Sequence, residues 1–374
     1  MTHPMVSESE AALARAVLIH GPLSRSALTK RLSLSPASLT RLAKPLLDSG
    51  ILIELGDTAD GTVGRPSRPL DIAPDVGGFV GVKLTGDRIY AVATDVRAEP
   101  IAETERALSS TDPGEVIEAI VELVAGFEVR KLRGIGVSLG GLSRDGVVVD
   151  APFLDWHDVA LAEPLAQRLG VPVTLENDLV ALAEAERWFG VGRGIPGFAV
   201  ITVGIGVGYA LVVDGQVVHT PDSGVGTGGH IPVAPNGPLC SEGHRGCTQA
   251  MLTSGSVAAQ VSAALQRPVT FDEVLDAASL GEPAARAVVD ASAAALGRLI
   301  ALATNLTLQH TVVLAGEGVG LYDRAADVVA DAIRADRAAE AAPVNVHVDR
   351  TGFRAWARGA AAVAIQAAVD RLAG

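Results

Sequence analysis

Apolar residues recur at helical spacing through the first fifty residues of the chain. The segment from Glu8 to Ile19 has this spacing, and the turn GPLS separates it from a second segment, RSALTKRL, that Ser24 can cap. A third segment begins after Ser35, a good N-cap residue, and Pro36 fits its first position, where a missing N–H costs nothing. The pattern predicts three helices, the last two joined by a short turn.

The third segment keeps its leucines on one face and ends at a glycine. Leu39, Leu42 and Leu46 share that face, Gly50 suits the position after a helix, and a strand is expected over Ile51 to Leu55. A basic tip, GRPSRP, and a second strand follow. Three helices and a two-stranded wing describe a winged helix-turn-helix, in which the second helix of the pair lies in the DNA major groove.

Beyond Pro74 the pattern changes to apolar strands that alternate with helices. A hairpin over FVGVKLTGDRIYAVATD starts one such series, and a Gly-rich hairpin, FAVITVGIGVGYALVVDG, starts another. Two similar halves predict a duplicated α/β body with a cleft between them. We expect a winged helix-turn-helix over residues 1–74 and a body over 75–374, with lobes at 75–195 plus the C-terminal helix and at 196–355.

Charge separates the front of the chain from the remainder. The formal net charge is −13, yet bases outnumber acids in residues 1–70, and no acid lies between Gly21 and Leu47. A small basic head on an acidic body is the asymmetry expected when only the head meets DNA. The alternative is a helical bundle that makes protein contacts. The DNA-binding candidates are Arg25, Pro36, Ala37, Ser38, Thr40, Arg41, Lys44, Arg65 and Arg68.

Composition excludes several classes of protein. Apolar residues make up 48% and charged residues 20%, enough for a sizeable core, and every apolar run is interrupted before the roughly 18 residues that span a bilayer. The start MTHPMVSESE has no apolar signal-peptide core, so a cytoplasmic protein without a membrane partner is expected. The two cysteines, Cys240 and Cys247, exclude a disulfide framework but leave metal binding open.

The tip of the first hairpin, GVKLTGD, could face a phosphate. Phosphate loops use glycines so that backbone N–H groups approach closely, with a carboxylate nearby to hold Mg²⁺. The turn itself, Thr-Gly-Asp, has one glycine, Gly86, and Lys83 stands where a carboxylate would help. A nucleotide site, a damaged one and a plain turn are the three interpretations.

Four segments together resemble the ROK family of repressors, open reading frames and kinases, over nearly the whole chain. The head up to GRPSRPL resembles that of the family's transcription factors, LENDLVALAEAE its sugar-site segment, GTGGHIPV its Gly-Glu-x-Gly-His segment and CSEGHRGC its zinc loop. The resemblance implies a ribonuclease H-like, actin/sugar-kinase fold for the body. It implies a DNA-binding transcriptional regulator, a repressor, with a carbohydrate effector. A homodimer or a tetramer is expected, because paired winged helices read a palindromic operator.

The phosphate loops depart from those of the family's kinases. Aligned with the kinase pattern Asp-x-Gly-Gly-Thr, the first hairpin has Lys83 for the Asp, Thr85 for a Gly and Asp87 for the Thr. In the second hairpin Ile205 replaces the Thr of Gly-Thr-Gly, and Glu317 adds an acid on the adenine side. Phosphoryl transfer depends on positioning and on neutralising charge, so no kinase activity and no ATP are expected. The alternatives are an active sugar kinase with a DNA-binding head, and a regulator without an effector.

The resemblance implies a partly retained effector pocket. Asn177 and Asp178 match sugar-hydroxyl contacts, Asp178 being the relic of the kinase general base. His230 matches a sugar-orienting histidine, and Thr227 and Gln249 stand at two family glutamates. The alternative for Asn177 and Asp178 is a helix cap. The expected effector residues are Glu176, Asn177, Asp178, Thr227, His230 and Gln249.

The family's zinc loop is also altered. Its four ligand places hold His230, Cys240, Glu242 and Cys247, and His244 could substitute for Glu242. A zinc ion held by one histidine, two thiolates and a carboxylate is chemically allowed, although closed structural sites favour Cys and His. A loop without metal, holding two free thiols, is the alternative.

Overall fold

The computed structural model describes residues 7–56 and 68–373. These residues form two compact units. The first unit takes its described residues from Met1–Leu139, Ser143–Glu176 and Ala357–Gly374. The second unit consists of Gly140–Leu142 and Asn177–Trp356.

The elements of the described residues are as follows. The helices are α1 (Glu8–His20), α2 (Arg25–Leu32), α3 (Pro36–Asp48), α4 (Pro113–Ala125), α5 (Ala162–Leu169), α6 (Asp178–Phe189), α7 (Thr248–Leu252), α8 (Ser254–Leu265), α9 (Phe271–Ser279), α10 (Pro283–Thr307), α11 (Gly320–Ala335) and α12 (Phe353–Ala373). The strands are β1 (Leu52–Glu54), β2 (Leu70–Ile72), β3 (Gly78–Leu84), β4 (Arg88–Thr94), β5 (Pro100–Ala107), β6 (Leu132–Leu139), β7 (Leu142–Arg144), β8 (Val147–Ala151), β9 (Trp156–Ala160), β10 (Val173–Asn177), β11 (Phe198–Val203), β12 (Val207–Val213), β13 (Gln216–Val217), β14 (Thr311–Ala315) and β15 (Asn345–Val348).

The head is the predicted winged helix-turn-helix, with α1, α2 and α3 around a leucine core and β1 paired antiparallel with β2. The predicted caps are confirmed, because the side chains of Ser24 and Ser35 each accept a hydrogen bond from the backbone N–H three residues on. Gly50 follows α3 with a φ of +72°, a left-handed conformation that glycine adopts without strain. The predicted basic wing tip, with Arg65, lies outside the described residues.

The sheet of the first unit has the strand order β10-β6-β3-β4-β5, with β3 antiparallel to β4 and parallel to β6. Helix α12 crosses this sheet at two glycines. A Cβ at Gly81 would overlap the carbonyl oxygen of Ala357, and one at Gly136 would overlap that of Ala360. The close approach of helix and sheet therefore requires residues without side chains at both positions.

The sheet of the second unit has the order β13-β12-β11-β14-β15. It starts with a hairpin, β11 against β12, and its first strand pairs in parallel with β14, as β3 pairs with β6 in the first unit. The two sheets share one strand arrangement, which confirms the duplicated α/β body. The three-stranded sheet β7-β8-β9 was not predicted.

Helix α10 is long and apolar enough to cross a membrane by length and composition alone. In its most apolar window, 56% of the residues are buried inside the protein. Leu296, Leu299 and Ile300 lie in the same hydrophobic core as Val329 of α11 and Leu314 of β14. These contacts are those of the core helix of a folded domain.

The units divide the chain differently from the predicted lobes. The boundary falls between Glu176 and Asn177 instead of near residue 195, so α6 belongs to the second unit. The head and the C-terminal helix from Ala357 onward both belong to the first unit, and the predicted domain bounds stay a prediction. Helix α6 begins at the residue after the end of β10. The sequence pattern does not show which sheet such a helix packs against, so it could not give this boundary.

Arg97 ties the head to the remainder of the first unit, in addition to the exposed ion pair between Arg15 of α1 and Asp370 of α12. Arg97, in the turn between β4 and β5, donates hydrogen bonds to the carbonyl oxygens of Leu18 (3.2 Å) and Val17 (3.3 Å) in α1. Its guanidinium also forms an ion pair with Asp71 of β2. In the same turn, the carbonyl of Ala98 accepts a 2.8 Å hydrogen bond from Arg358 of α12. The turn thus connects two elements of the head with the C-terminal helix.

Replacing Arg97 with alanine should loosen the head from its lobe. The change removes the Arg97 donor from the half-buried Asp71 carboxylate and from two helix carbonyls, although Asp71 keeps the N–H of Ile72 and Val17 keeps that of Gly21, and it should cost about 1–2 kcal/mol. Faster amide hydrogen exchange in α1 and β2, measured by mass spectrometry, is the expected result. Arg106→Ala is the matched control, because it removes the more exposed Arg106–Glu122 pair of the same unit. Equal exchange in both variants would contradict the assignment.

Candidate functional site

Helix α3 presents a continuous exposed face opposite its leucine stripe. Leu39, Leu42 and Leu46 are buried in the head, whereas five of the six DNA-binding candidates on this helix are exposed. Those exposed side chains are Pro36, Ala37, Thr40, Arg41 and Lys44. Small residues occupy the start of the helix and two bases follow, an arrangement that lets the backbone come close to base edges or phosphates.

Three other DNA-binding candidates have partners within the protein. The N–H of the half-buried Ser38 donates to the hydroxyl of the Ser35 cap at 3.1 Å, and that hydroxyl donates to the hydroxyl of Ser38 at 3.0 Å. Arg25 pairs with Glu54 of the wing at 2.6 Å, so its guanidinium would have to exchange this partner to meet DNA. Arg68 is exposed at the base of the wing. DNA contact by these residues stays a prediction.

The tip of the β3–β4 hairpin is a turn whose polar groups bond to one another. The backbone N–H of Thr85 donates to the carbonyl of Arg88 at 2.9 Å, and its hydroxyl accepts from the N–H of Arg88 at 3.0 Å. The same hydroxyl donates to Asp87 at 2.8 Å. Lys83, at the end of β3, is buried. The plain turn considered from the sequence describes this geometry.

The tip of the β11–β12 hairpin makes a contact that the sequence did not predict. The backbone N–H of Ile205 donates to a carboxylate oxygen of Glu317, 2.6 Å away, in the turn that joins β14 to α11. The Ile205 side chain is 66% exposed, so apolar packing does not hold the tip in place. From the sequence, Glu317 was predicted only to be an acid that would repel a nucleotide on the adenine side.

Asn177 is the cap of α6. Its buried side chain accepts hydrogen bonds from the N–H groups of Leu179 (3.0 Å) and Val180 (3.3 Å) and donates to the carbonyl of Gly141 at 2.9 Å. Asp178 accepts from the N–H of Leu179 at 2.8 Å. The helix-cap alternative is therefore confirmed for Asn177. A part in effector binding by this pair, and by the half-buried Glu176 before it, stays a prediction.

The remaining effector candidates come from two adjoining segments of the second unit. Thr227–His230 form a 3₁₀ turn, and the hydroxyl of Thr248 at the start of α7 donates to the carbonyl of Gly228 in that turn. Thr227 is exposed, and Gln249 is half-buried. The side-chain oxygen of Gln249 is buried and has no hydrogen-bond partner among the described residues. A buried acceptor of this kind costs free energy unless a donor reaches it.

Two histidines and a thiol converge at the loop that follows the 3₁₀ turn. The Nδ1 atoms of His230 and His244 are 3.1 Å apart, and the Sγ atom of Cys240 is 3.8 Å and 3.7 Å from them. Cys247 adjoins the cluster, with its Sγ atom 3.9 Å from Nδ1 of His230. A tetrahedral zinc ion would separate two nitrogens by about 3.3 Å and a nitrogen from a sulfur by about 3.6 Å. These donor atoms therefore fit one metal ion.

Glu242 has a different place from the one expected of a ligand. Its carboxylate lies 3.2 Å from Nε2 of His230, on the opposite side of the ring from the cluster. A carboxylate in this position orients a ligating histidine and increases its basicity. Of the two alternatives for the fourth ligand, His244 is the one beside the other donors.

The two thiols have different acidities. Burial opposes ionisation of Cys240, but hydrogen bonds from the backbone of Glu242 and His244 and from Cys247 outweigh it and lower the pKa of this thiol. Burial raises the pKa of Cys247. The thiolate that a metal requires therefore forms more readily at Cys240.

Comparison with known proteins gives one family and several relatives. The sequence model of the ROK family matches residues 79–367. The DNA-binding transcriptional repressor Mlc of Escherichia coli K12 is 26% identical, over 89% of this chain and 86% of its own. A ROK family transcriptional regulator, a homologue of the E. coli Mlc protein, superposes with a TM-score of 0.82 at 24% identity, over 98% of this chain and 97% of its own. A ROK family glucokinase from Streptomyces griseus, solved with glucose and AMPPNP, has a TM-score of 0.63 at 26% identity, over 78% of this chain and 100% of its own.

Proposed function

The chain belongs to the ROK family, and from this premise we propose that it is a DNA-binding transcriptional repressor. Its head grips an operator, and its body senses a sugar or sugar-derived effector instead of phosphorylating it. The carrying observation is the exposed face of α3, with Arg41 and Lys44, on a winged helix-turn-helix that precedes the family-matching residues. The similarity to the repressor Mlc over 89% of this chain supports the same conclusion.

A neutral, hydroxyl-rich ligand suits the second unit. The buried oxygen of Gln249 lacks a donor among the described residues, and a sugar hydroxyl would supply one. Thr227 and His230 lie on the 3₁₀ turn. Thr248, at the start of α7 and next in sequence to Gln249, donates a hydrogen bond to that turn. Asn177 and Asp178 would bind the sugar through the hydrogen-bonding positions of their side chains that the cap of α6 does not use. The Streptomyces griseus relative was solved with glucose, which makes a hexose the first ligand to test.

Phosphoryl transfer from ATP would lack its electrostatic requirements here. A buried lysine, Lys83, stands where the family's kinases have an Mg²⁺-organising carboxylate, and Thr85 is bonded within its own turn. Asp87 and Ile205 replace threonines that would donate to phosphate. Catalysis of this reaction consists almost entirely of positioning phosphates and neutralising their charge. We therefore expect no kinase activity.

The loop cluster would hold a structural zinc ion. His230, Cys240 and His244 supply three donors within 4.8 Å of one another, and Cys247 is the adjoining fourth. Glu242 would orient His230 from outside the metal. Four protein ligands leave no open position, so the ion would stabilise the loop and supply no catalytic chemistry.

Two measurements on the purified protein test this function. Fluorescence anisotropy with promoter fragments from beside its own gene should show specific binding that a hexose or amino-sugar panel changes, because an effector must bind the DNA-bound and free states with different affinity. A coupled ATP-turnover assay over the same panel should give no rate above background. Turnover would favour the kinase alternative, and operator affinity indifferent to every sugar that binds would favour the effector-independent regulator. Sedimentation would test the expected homodimer.

A further inference from the structure

The backbone of the β11–β12 turn forms an anion-accepting position, and a side chain of the protein itself occupies it. The N–H of Ile205 points at the carboxylate of Glu317, with a donor–acceptor distance of 2.6 Å. A Cβ at Gly204 would overlap this carboxylate, so the carboxylate can lie here only because residue 204 has no side chain. Around Gly206, on the other side, the space is open.

The turn that presents Glu317 is fixed against the hairpin at a second point. The N–H of Gly318 donates to the carbonyl of Val203, the last residue of β11, at 2.8 Å. Gly316 has a φ of +100° and a Cβ there would overlap the Val203 backbone, so glycine is required for both conformation and space. The carboxylate also precedes α11, and the start of a helix favours negative charge. The fixed turn, the Ile205 hydrogen bond and the electric field at the start of α11 therefore all stabilise an anion at this point.

We propose that the Glu317 carboxylate occupies the position beside the Ile205 N–H that an anionic ligand would otherwise take. This internal anion excludes phosphate-bearing ligands from the second unit. This inference rests on the proposed function, since it explains how the sensor body discriminates against nucleotides and phosphate esters. A hydrogen bond from N–H to a carboxylate is shorter and stronger than one to a neutral acceptor. An entering phosphate must displace that carboxylate and then remain beside its charge, whereas a neutral sugar meets no such repulsion.

The test is to remove the internal anion and offer an external one. Tripolyphosphate is titrated at constant ionic strength into the wild type, Glu317→Gly and Glu340→Gly by calorimetry. Glu340 is an exposed acid of the same unit and is the matched control for net charge. We expect no saturable binding by the wild type or by Glu340→Gly, and binding by Glu317→Gly with a Kd of about 1 mM.

Thermal unfolding supplies a second measurement. Without added anion, Glu317→Gly should melt about 2–4 °C below the wild type, because the charge-assisted hydrogen bond is lost. Tripolyphosphate at ten times its Kd should recover most of that shift by mass action, and should leave Glu340→Gly unchanged. A purely structural glutamate would give the lower Tm without the recovery.

Glu317→Gln covers the case in which the glycine variant does not fold. It keeps the side-chain volume and removes the charge, and should bind tripolyphosphate more weakly than the glycine variant but above the wild type. Folded Glu317 variants without any gain in anion binding would overturn the inference and leave the repressor function standing. Tripolyphosphate binding by the wild type equal to that of the variants would overturn it too. ATP turnover by the wild type would instead defeat the proposed function.

Discussion

Replacing Arg41 with alanine should weaken binding about 10- to 100-fold for each operator half-site, since a base-contacting arginine contributes about 1–3 kcal/mol there. Arg41 is exposed on α3, one turn beyond the small residues at its start, where a side chain can reach base edges. Its removal should also relax the sequence preference at one position of each half-site. Anisotropy titrations against the operator and single-base variants of it measure both effects.

Lys44 gives the comparison that separates base contact from phosphate contact. It is exposed one turn further along α3, and Lys44→Ala should weaken binding to all sequences alike and reduce the slope of log affinity against log salt by about one. Arg286→Ala, an exposed arginine of the body, should change neither. An Arg41 variant with wild-type operator affinity would show that α3 is not the recognition helix.

Loss of the metal cluster should have the largest effect on stability. His244→Ala and Cys247→Ala are expected to reduce zinc from one ion per chain to a small fraction, and to lower the free energy of unfolding of the second unit by about 4 kcal/mol or more. The reason is that the proposed ion would join the 3₁₀ turn to the loop that follows it, two segments rich in glycine. Metal analysis measures the zinc content of each variant, and thermal unfolding with and without chelator measures the loss of stability.

The controls for the zinc prediction follow from the geometry. His219→Ala removes an exposed histidine of the same unit outside the cluster and should keep both zinc and stability. Glu242→Gln should retain the ion with about 10- to 100-fold lower affinity, because it only orients His230. A wild-type protein that is purified from zinc-supplemented cells without metal, and is indifferent to chelator, would favour the loop with two free thiols.

The features that the sequence predicted well are those decided within a few residues. Ser24 and Ser35 cap their helices and Gly50 ends α3, because capping depends on one side chain and a backbone group three residues away. The duplicated sheets were likewise predictable from two Gly-rich hairpins with apolar strands. The residues of the exposed α3 face followed directly from the leucine spacing.

The features that the sequence did not decide depend on distant segments or on loop geometry. The family resemblance placed Glu242 among the zinc ligands and left His244 as its possible substitute. The turn at Gly243, with a φ of +83°, brings His244 to the cluster and sends Glu242 to the far side of the His230 ring. The contacts of Glu317 with Ile205 and of Arg97 with α1 join segments far apart in the chain, and no local pattern records such pairs.

The packing of α12 on Gly81 and Gly136 sets an order for biosynthesis. The ribosome makes the head and the strands β3 and β6 early, but the helix that covers these two glycines emerges only after the entire second unit has been translated. Arg358 of that helix also bonds to the turn whose Arg97 holds the head. A nascent chain that stops before α12 would lack the helix that packs on these glycines and the Arg358 hydrogen bond to this turn, so we expect the head to be fully anchored only after the final helix docks.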